Sequence, residues 1–232
     1  MAYESVDWPD YLIGTTPNAL RAATPFLSKR PSGSTFVRTL DWNHLDRAEG
    51  RLTGGEMVVG IGGGMALDAS KYIALKRGLP LVLVPTLVST GAIIHGHVAK
   101  WEGHRIIGSP EQWPWRDFKD ILVDYDVVLT APDRLNTAGL GDVLCGFAGI
   151  AEWRHNDMFG VGDPFDSDAV APTADHHRRV VEGFPPTLAP DGSLTPASVR
   201  FIMSAIQERD GKSLNHPAAI SADHSLWLAI EE

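Results

Sequence analysis

Four glycines, Gly60, Gly62, Gly63 and Gly64, stand between an apolar run and a run of helical spacing in the stretch VVGIGGGMALDASKYIA. Without side chains, their backbone N–H groups can approach a diphosphate closely. The helix N-terminus that follows adds a partial positive charge. This is phosphate-binding chemistry, although a tight turn with no ligand would use the same residues. The stretch is not the common dinucleotide fingerprint, because Leu67 stands beyond the glycines, and it is not a P-loop, because no Gly-Lys-Ser/Thr follows. His95 and His97, in IIHGHV, have a compact ligand-like spacing, but they read as polar loop residues.

The elements that must position these groups follow from periodicity. Residues 17–29 predict a short helix and STFVRTLD a strand. EMVVGI is short, apolar and β-branched, which predicts a buried strand. MALDASKYIALKR carries apolar residues at 65, 69, 72 and 73, the spacing of a helix face. LPLVLVPT predicts a second buried strand stopped by Pro85, and DILVDYDVVL a third. Strand, helix, strand in this order implies a parallel sheet covered by helices. The segment STGAIIHGHVAKWEGHRIIGSPEQWPW between the last two strands reads as an excursion or hairpin.

After TAPDRL the character changes. LGDVLCGFAGIAEWRH has a helical stripe at 140, 143, 144, 147 and 150. Residues 156–194 are rich in Asp, Pro and Gly, which predicts loop with one short helix near ADHHRRVVEGF. LTPASVRFIMSAIQERDG is a helix that Thr195 can cap and Gly211 can end. PAAISADHSLWLAIEE predicts a final helix. The expected fold class is α/β: a Rossmann-like parallel sheet over residues 1–134, followed by an all-helical part over residues 135–232.

The bulk numbers restrict the partners. The chain has 232 residues and a formal net charge of −9, with no basic stripe, which argues against nucleic acid. Cys145 is its one cysteine, so no internal disulfide is possible, and a reducing cytosol fits. The first ten residues have no basic or apolar signal region, and no apolar run approaches a membrane span. The expectation is a cytoplasmic protein with no membrane partner.

GGGMALDASK resembles the G-G-G-x-x-x-D-x-x-K signature of the superfamily of iron-containing alcohol dehydrogenases, glycerol and glycerol-1-phosphate dehydrogenases, and dehydroquinate synthases. Further pieces match in the family's order. LVLVPTLVST resembles its strand and P-T-x-x-S-T turn. ILVDYDVVLTAPDRLNTAGLGDVL, with Trp153 at the end of the following helix, is similar to the glycerol-1-phosphate dehydrogenase branch. DHSLWLAIE resembles the helix that carries a metal-binding histidine. Read alone, Asp68 is an acid in a first helical turn, favoured there by the dipole, and Lys71 is a solvated surface lysine.

The resemblance implies NAD or NADP as cofactor and a divalent metal, zinc, iron or nickel. Gly62, Gly63 and Gly64 would hold the pyrophosphate, and Asp68 would support the turn. Thr86 and Ser89 would contact the phosphate or the nicotinamide side. Asp41 is a candidate for a ribose hydroxyl. Asp142 and His224 would be metal ligands and catalytic residues, with Gly146 and Gly149 leaving room on Asp142's helix face. The reaction implied is metal-dependent oxidation of a small polyol or polyol phosphate, by a homo-oligomer.

The match has gaps. A third metal-ligating histidine is expected on a later helix, but the sequence runs only to Glu232, and His216 does not fit the position. Gly91, Gly146 and Leu228 stand where relatives carry an acid, a lysine and a second histidine. The departures gather in the catalytic part and the matches in the nucleotide part. Two alternatives therefore stay open. One is a non-catalytic or incomplete nucleotide-binding member. The other is a sugar phosphate cyclase similar to dehydroquinate synthase, although STGAIIHGHVAKWEGH lacks the D-x-x-x-G-G-K-T-like segment of the cyclases.

Overall fold

A computed structural model describes residues 8–96, 98, 101–103, 105–106 and 119–211. The chain divides into two compact units, Met1–Asn136 and Thr137–Glu232.

The first unit is built on a parallel sheet. Its strands are β1 (Tyr11–Thr15), β2 (Gly33–Phe36), β3 (Met57–Gly62), β4 (Leu81–Pro85) and β7 (Asp120–Ile121), in the order β2-β1-β3-β4-β7. Every neighbouring pair is parallel. The crossovers are α1 (Pro17–Ala23), α2 (Trp42–Glu49) and α3 (Gly64–Arg77). The excursion holds a two-residue antiparallel hairpin, β5 (Trp101–Glu102) with β6 (Arg105–Ile106). This is the Rossmann-like α/β sheet that the run of strands and helices predicts.

The sheet is buried on both faces, as a parallel sheet with helical crossovers must be. One face buries Tyr11, Ile13, Val59, Ile61, Val82 and Val84 with Ala23 and Val127. On the other, α3 lies almost on the backbone. A Cβ at Gly14 would sit 2.2 Å from Ser70 Oγ, and one at Gly60 would sit 2.7 Å from Ser70 Cβ. Ser70 donates to Ala66 O at 2.7 Å and approaches Gly14 O at 3.2 Å, so the buried hydroxyl is satisfied. Two glycines in the strands thus let a helix pack closely. Eight side chains of α3 are buried, which removes the amphipathic contrast that a surface helix would show.

Three expectations need correction. YLIGT, outside the predicted strands, forms β1, which lies between β2 and β3 with all five residues buried. DILVDYDVVL is not one strand. It pairs with β4 over two residues and then turns into α4 (Tyr125–Val128). Asp124 causes the switch: its Oδ1 accepts from Asp126 N at 2.9 Å and from Val127 N at 3.4 Å, which caps a helix. Residues 156–194 are not mostly loop, because α7 (Ser167–Gly183) runs for 17 residues. Asp166 caps it, and the helix tolerates Pro172 in its interior.

The second unit is helical, with α6 (Gly146–Met158), α7 and α8 (Pro196–Gly211). α5 (Asp133–Leu144) spans the division between the units. The stripe at 140–150 is thus two helices that meet at Cys145. Thr195 caps α8 as expected, its Oγ1 accepting from Ala197 N and Ser198 N. The final helix predicted at 217–232 lies outside the described residues, as does His97. Among the described residues no helix is long and apolar enough to cross a membrane.

Candidate nucleotide-binding site

The glycine turn joins β3 to α3 at the carboxyl edge of the sheet, where open α/β folds bind ligands. Gly62 has φ +148°, a conformation L side chains rarely adopt, and a Cβ there would lie 2.7 Å from Ala66 Cβ. Gly63 is the N-cap, and its carbonyl accepts from Ala66 N and Leu67 N. Among the described residues no side chain caps α3. The first N–H groups of a helix have no intrahelical partner, so this end presents donors and a positive partial charge.

The loop after β4 forms the second wall. Thr86 N donates to Gly62 O at 3.0 Å, which fastens the two strand ends together. A Cβ at Gly63 would meet Leu87 Cδ1 at 3.2 Å, and one at Gly64 would meet Thr90 Cγ2 at 2.7 Å. Bare backbone is therefore required for this loop and the helix start to come together. Thr86 is buried, and Ser89 is half-buried in the same loop. Asn136 secures the loop from behind. Its Oδ1 accepts from Val88 N at 2.9 Å, and its Nδ2 donates to Val128 O at 3.0 Å. Nothing in RLNTAG marks Asn136 in the sequence, because its partner lies 48 positions away.

Asp68 and Lys71 hold the third side. Lys71 is not a surface lysine: its side chain is 0% exposed. Its Nζ donates to Asp68 Oδ1 at 2.8 Å and to Ala92 O at 2.6 Å. The pair thereby ties α3 to the 3-10 turn Gly91–Ile93 that follows the loop. Burial pushes the Lys71 ammonium down and the Asp68 carboxyl up, each against the pull of the other's charge.

Asp41 is engaged elsewhere. It caps α2, with Oδ1 accepting from His44 N at 3.1 Å and Oδ2 from Gly103 N at 2.8 Å. Those two backbone bonds hold its carboxyl below the usual carboxylate range.

In the helical unit, Asp142 sits in the last turn of α5. Its Oδ2 lies 2.9 Å from Arg209 Nη1, and its carbonyl accepts from the same guanidinium nitrogen. Arg209, on α8, is buried and also binds Asp210. His224 lies outside the described residues. Among the described residues, no three His, Cys, Asp or Glu side chains gather as a metal site. These residues alone do not fit a metal, since the one candidate ligand is ion-paired. No local pattern marks Arg209 in the sequence, because its partner lies 67 positions away.

The same unit buries two neighbouring histidines. His177 Nε2 lies 3.0 Å from Val143 O, and His176 Nε2 lies 3.1 Å from Ala205 O. Burial holds both imidazoles below their ordinary pKa. Their folded-state values are lower than their unfolded ones, so mild acid protonates the unfolded chain first. Stability is complete above about pH 6.5 and falls below it, by up to about 1.4 kcal/mol per pH unit for each histidine. Glu208, 3.3 Å from His176 Nδ1, pulls that imidazole the other way and softens the effect there. Hydrogen exchange of α7 amides at pH 7.5 and 5.5 measures the loss, and His177→Gln should remove a large part of it. An equal loss in that variant would contradict the assignment.

Residues 21–132 match the family described as iron-containing alcohol dehydrogenase. The glycerol-1-phosphate dehydrogenase [NAD(P)+] of Aeropyrum pernix is 32% identical over 99 residues, 43% of this chain and 27% of that protein. That of Thermofilum pendens is 33% identical over 121 residues, 51% of this chain and 34% of that protein. The chain thus aligns with about a third or less of these relatives' length. A solved glycerol dehydrogenase from Schizosaccharomyces pombe has the same fold, with TM-score 0.61 and 19% identity over 88% of this chain and 55% of that one. An iron-containing alcohol dehydrogenase from Thermotoga maritima superposes with TM-score 0.55 and 15% identity over 85% and 60% of the two chains. Over residues 21–132 this chain is thus similar to the iron-containing alcohol dehydrogenases, and it shares the fold of their solved structures.

Proposed function

We propose that the first unit binds NAD or NADP, and that the chain serves an oxidoreductase acting on a small polyol or polyol phosphate. The observation that carries this reading is the cradle between β3 and α3. Its helix end is uncapped, its glycines leave no room for a Cβ, and two loops close around it. Backbone N–H groups at Gly63, Gly64 and Met65 would take the pyrophosphate. Gly62 sets the angle of the turn, and the Asp68–Lys71 pair and Asn136 hold the surrounding loops. Thr86 and Ser89 would offer hydroxyls toward the nicotinamide side, where each can donate or accept. When bound, the nicotinamide supplies the hydride acceptor or donor.

The metal part of the proposal rests on Asp142 and His224. Of these two, Asp142 is ion-paired with Arg209. That pairing favours a second reading, in which the chain binds nucleotide without metal catalysis. A homo-oligomer belongs to the first reading and is checked by light scattering.

Metal analysis and NADH titration of the purified chain separate the two. The dehydrogenase reading expects about one divalent ion per chain, its loss in Asp142→Ala, and NADH affinity within about twofold of wild type. Metal content unchanged by Asp142→Ala would sink the ligand assignment. Metal-free wild type that still binds NADH would establish the second reading. Polyol-dependent NAD(P) reduction, assayed with glycerol and glycerol phosphates, tests the substrate class. Loss of phosphate from a seven-carbon sugar phosphate without net reduction would indicate a cyclase instead.

A further inference from the structure

A small hollow of about 110 Å³ lies between α7 and α8 of the helical unit. His176 and Arg179 line it from α7, and Ser204 and Glu208 from α8. The His176 side chain is 1% exposed. Its Nε2 faces Ala205 O at 3.1 Å, and a carbonyl can only accept, so the ring proton sits on Nε2. Burial favours the neutral imidazole, which leaves a lone pair on Nδ1. That Nδ1 is buried and has no hydrogen-bond partner among the described residues. What it faces is another acceptor, Glu208 Oε2, at 3.3 Å. Two acceptors this close repel unless something positive lies between them.

The geometry suits a metal ion in that place better than a proton. The contact is longer than the usual N–H···O range of about 2.7–3.2 Å. It matches two ligands on one tetrahedral ion: with nitrogen at about 2.0–2.1 Å and oxygen at about 2.0–2.2 Å from the metal, the two atoms stand about 3.3–3.5 Å apart. The surrounding bonds are of the kind that orient ligands. A ligating imidazole commonly donates its other N–H to a backbone carbonyl, as His176 does to Ala205. Glu208 is held in turn by Arg179, whose Nη2 donates to Oε1 at 2.9 Å and whose Nη1 donates to Oε2 at 3.1 Å. Each carboxylate oxygen can accept twice, so the Arg179 bond does not close Oε2 to an ion. Asp175 accepts from Arg179 Nε at 3.0 Å and offsets its charge. The hollow has room for several waters at the remaining positions.

We propose that His176 Nδ1 and Glu208 Oε2 bind a divalent transition-metal ion of the zinc class, completed by water, and that the ion clamps α7 to α8. Imidazole with a carboxylate selects zinc, nickel or copper over magnesium and calcium, which take oxygen ligands. The site uses neither Asp142 nor the glycine cradle, so it stands or falls apart from the nucleotide reading.

Calorimetric titration of the EDTA-treated full chain with Zn²⁺ at about pH 7.5 tests this. Wild type is expected to take up a zinc ion that His176→Gln binds more weakly by about tenfold or more. Glu208→Gln, which keeps the side-chain shape, should show the same loss. Asp142→Ala should keep this zinc, which separates the two sites. Zinc should slow hydrogen exchange of α7 and α8 amides in wild type and not in Glu208→Gln, and circular dichroism checks that each variant is folded. Excess Mg²⁺ should not compete. Zinc uptake that is equal in wild type and in both ligand variants overturns the proposal, as does uptake that only Asp142→Ala removes. A wild type that takes up no zinc, in which Glu208→Gln changes only the stability in acid, shows that the pair shares a proton and overturns the metal assignment.

Discussion

Lys71→Met is expected to lower the stability of the first unit by about 3 kcal/mol, the lower end of the range for breaking a buried ion pair. The lower end applies because the Asp68 side chain remains 15% exposed, so water reaches part of the orphaned carboxylate. The substitution leaves two groups without their donor, Asp68 Oδ1 and Ala92 O. It keeps much of the aliphatic stem, so little cavity is added. A companion variant separates charge from packing. In Asp68→Leu/Lys71→Met the carboxylate leaves with the ammonium, and only Ala92 O stays unpaired, at about 1–3 kcal/mol. The double variant should therefore be more stable than the single one. Hydrogen exchange of α3 amides measures both changes. Exchange at Gly91–Ile94 should rise most, because Lys71 fastens that turn. A loss below about 1 kcal/mol in Lys71→Met would show that the pair is not a structural tie.

How much of this was legible in the sequence depended on the range of each contact. The β3–turn–α3–β4 unit was readable, because an apolar β-branched run, a glycine turn and a helix stop are local signals. β1 was missed, because YLIGT is only five residues, contains a glycine and sits between Pro9 and Pro17. Its place in the sheet comes from pairing with β2 and β3, which no local pattern reports. The run DILVDYDVVL misled because its alternation suits a strand, while Asp124 caps a helix inside it. α7 was hidden for another reason: Thr173, His176 and His177 occupy core positions where the helical stripe calls for apolar residues. At the turn, the glycines are a local pattern, while the Thr86 loop is singled out only by the resemblance. The burial of Lys71 was not, because α3 is covered on nearly all sides and its polar residues look like surface. Asn136 and Arg209 act across the fold, and only the folded chain brings them to Val88 and Asp142.

Gly64→Ala should weaken NADH binding by about tenfold to a hundredfold, or about 1.4–2.8 kcal/mol, while leaving the fold nearly unchanged. The added Cβ would stand 2.7 Å from Thr90 Cγ2, so the Thr86–Thr90 loop must move away from the start of α3. That movement widens the cradle where the pyrophosphate would sit. The cost to folding is small, because alanine in a helix gains about 0.8–1.0 kcal/mol over glycine, which offsets part of the contact. Gly62→Ala should behave in the opposite way. At φ +148° and with Ala66 Cβ at 2.7 Å, an alanine there is strained and crowded, so folding suffers first. A cost on the order of 1–3 kcal/mol is expected for that position. Comparing NADH titration with urea unfolding for the two variants tests the cradle by a contrast. A plain tight turn would show a stability loss at Gly62 and no change in ligand binding at Gly64. A phosphate cradle requires both losses, each at its own glycine.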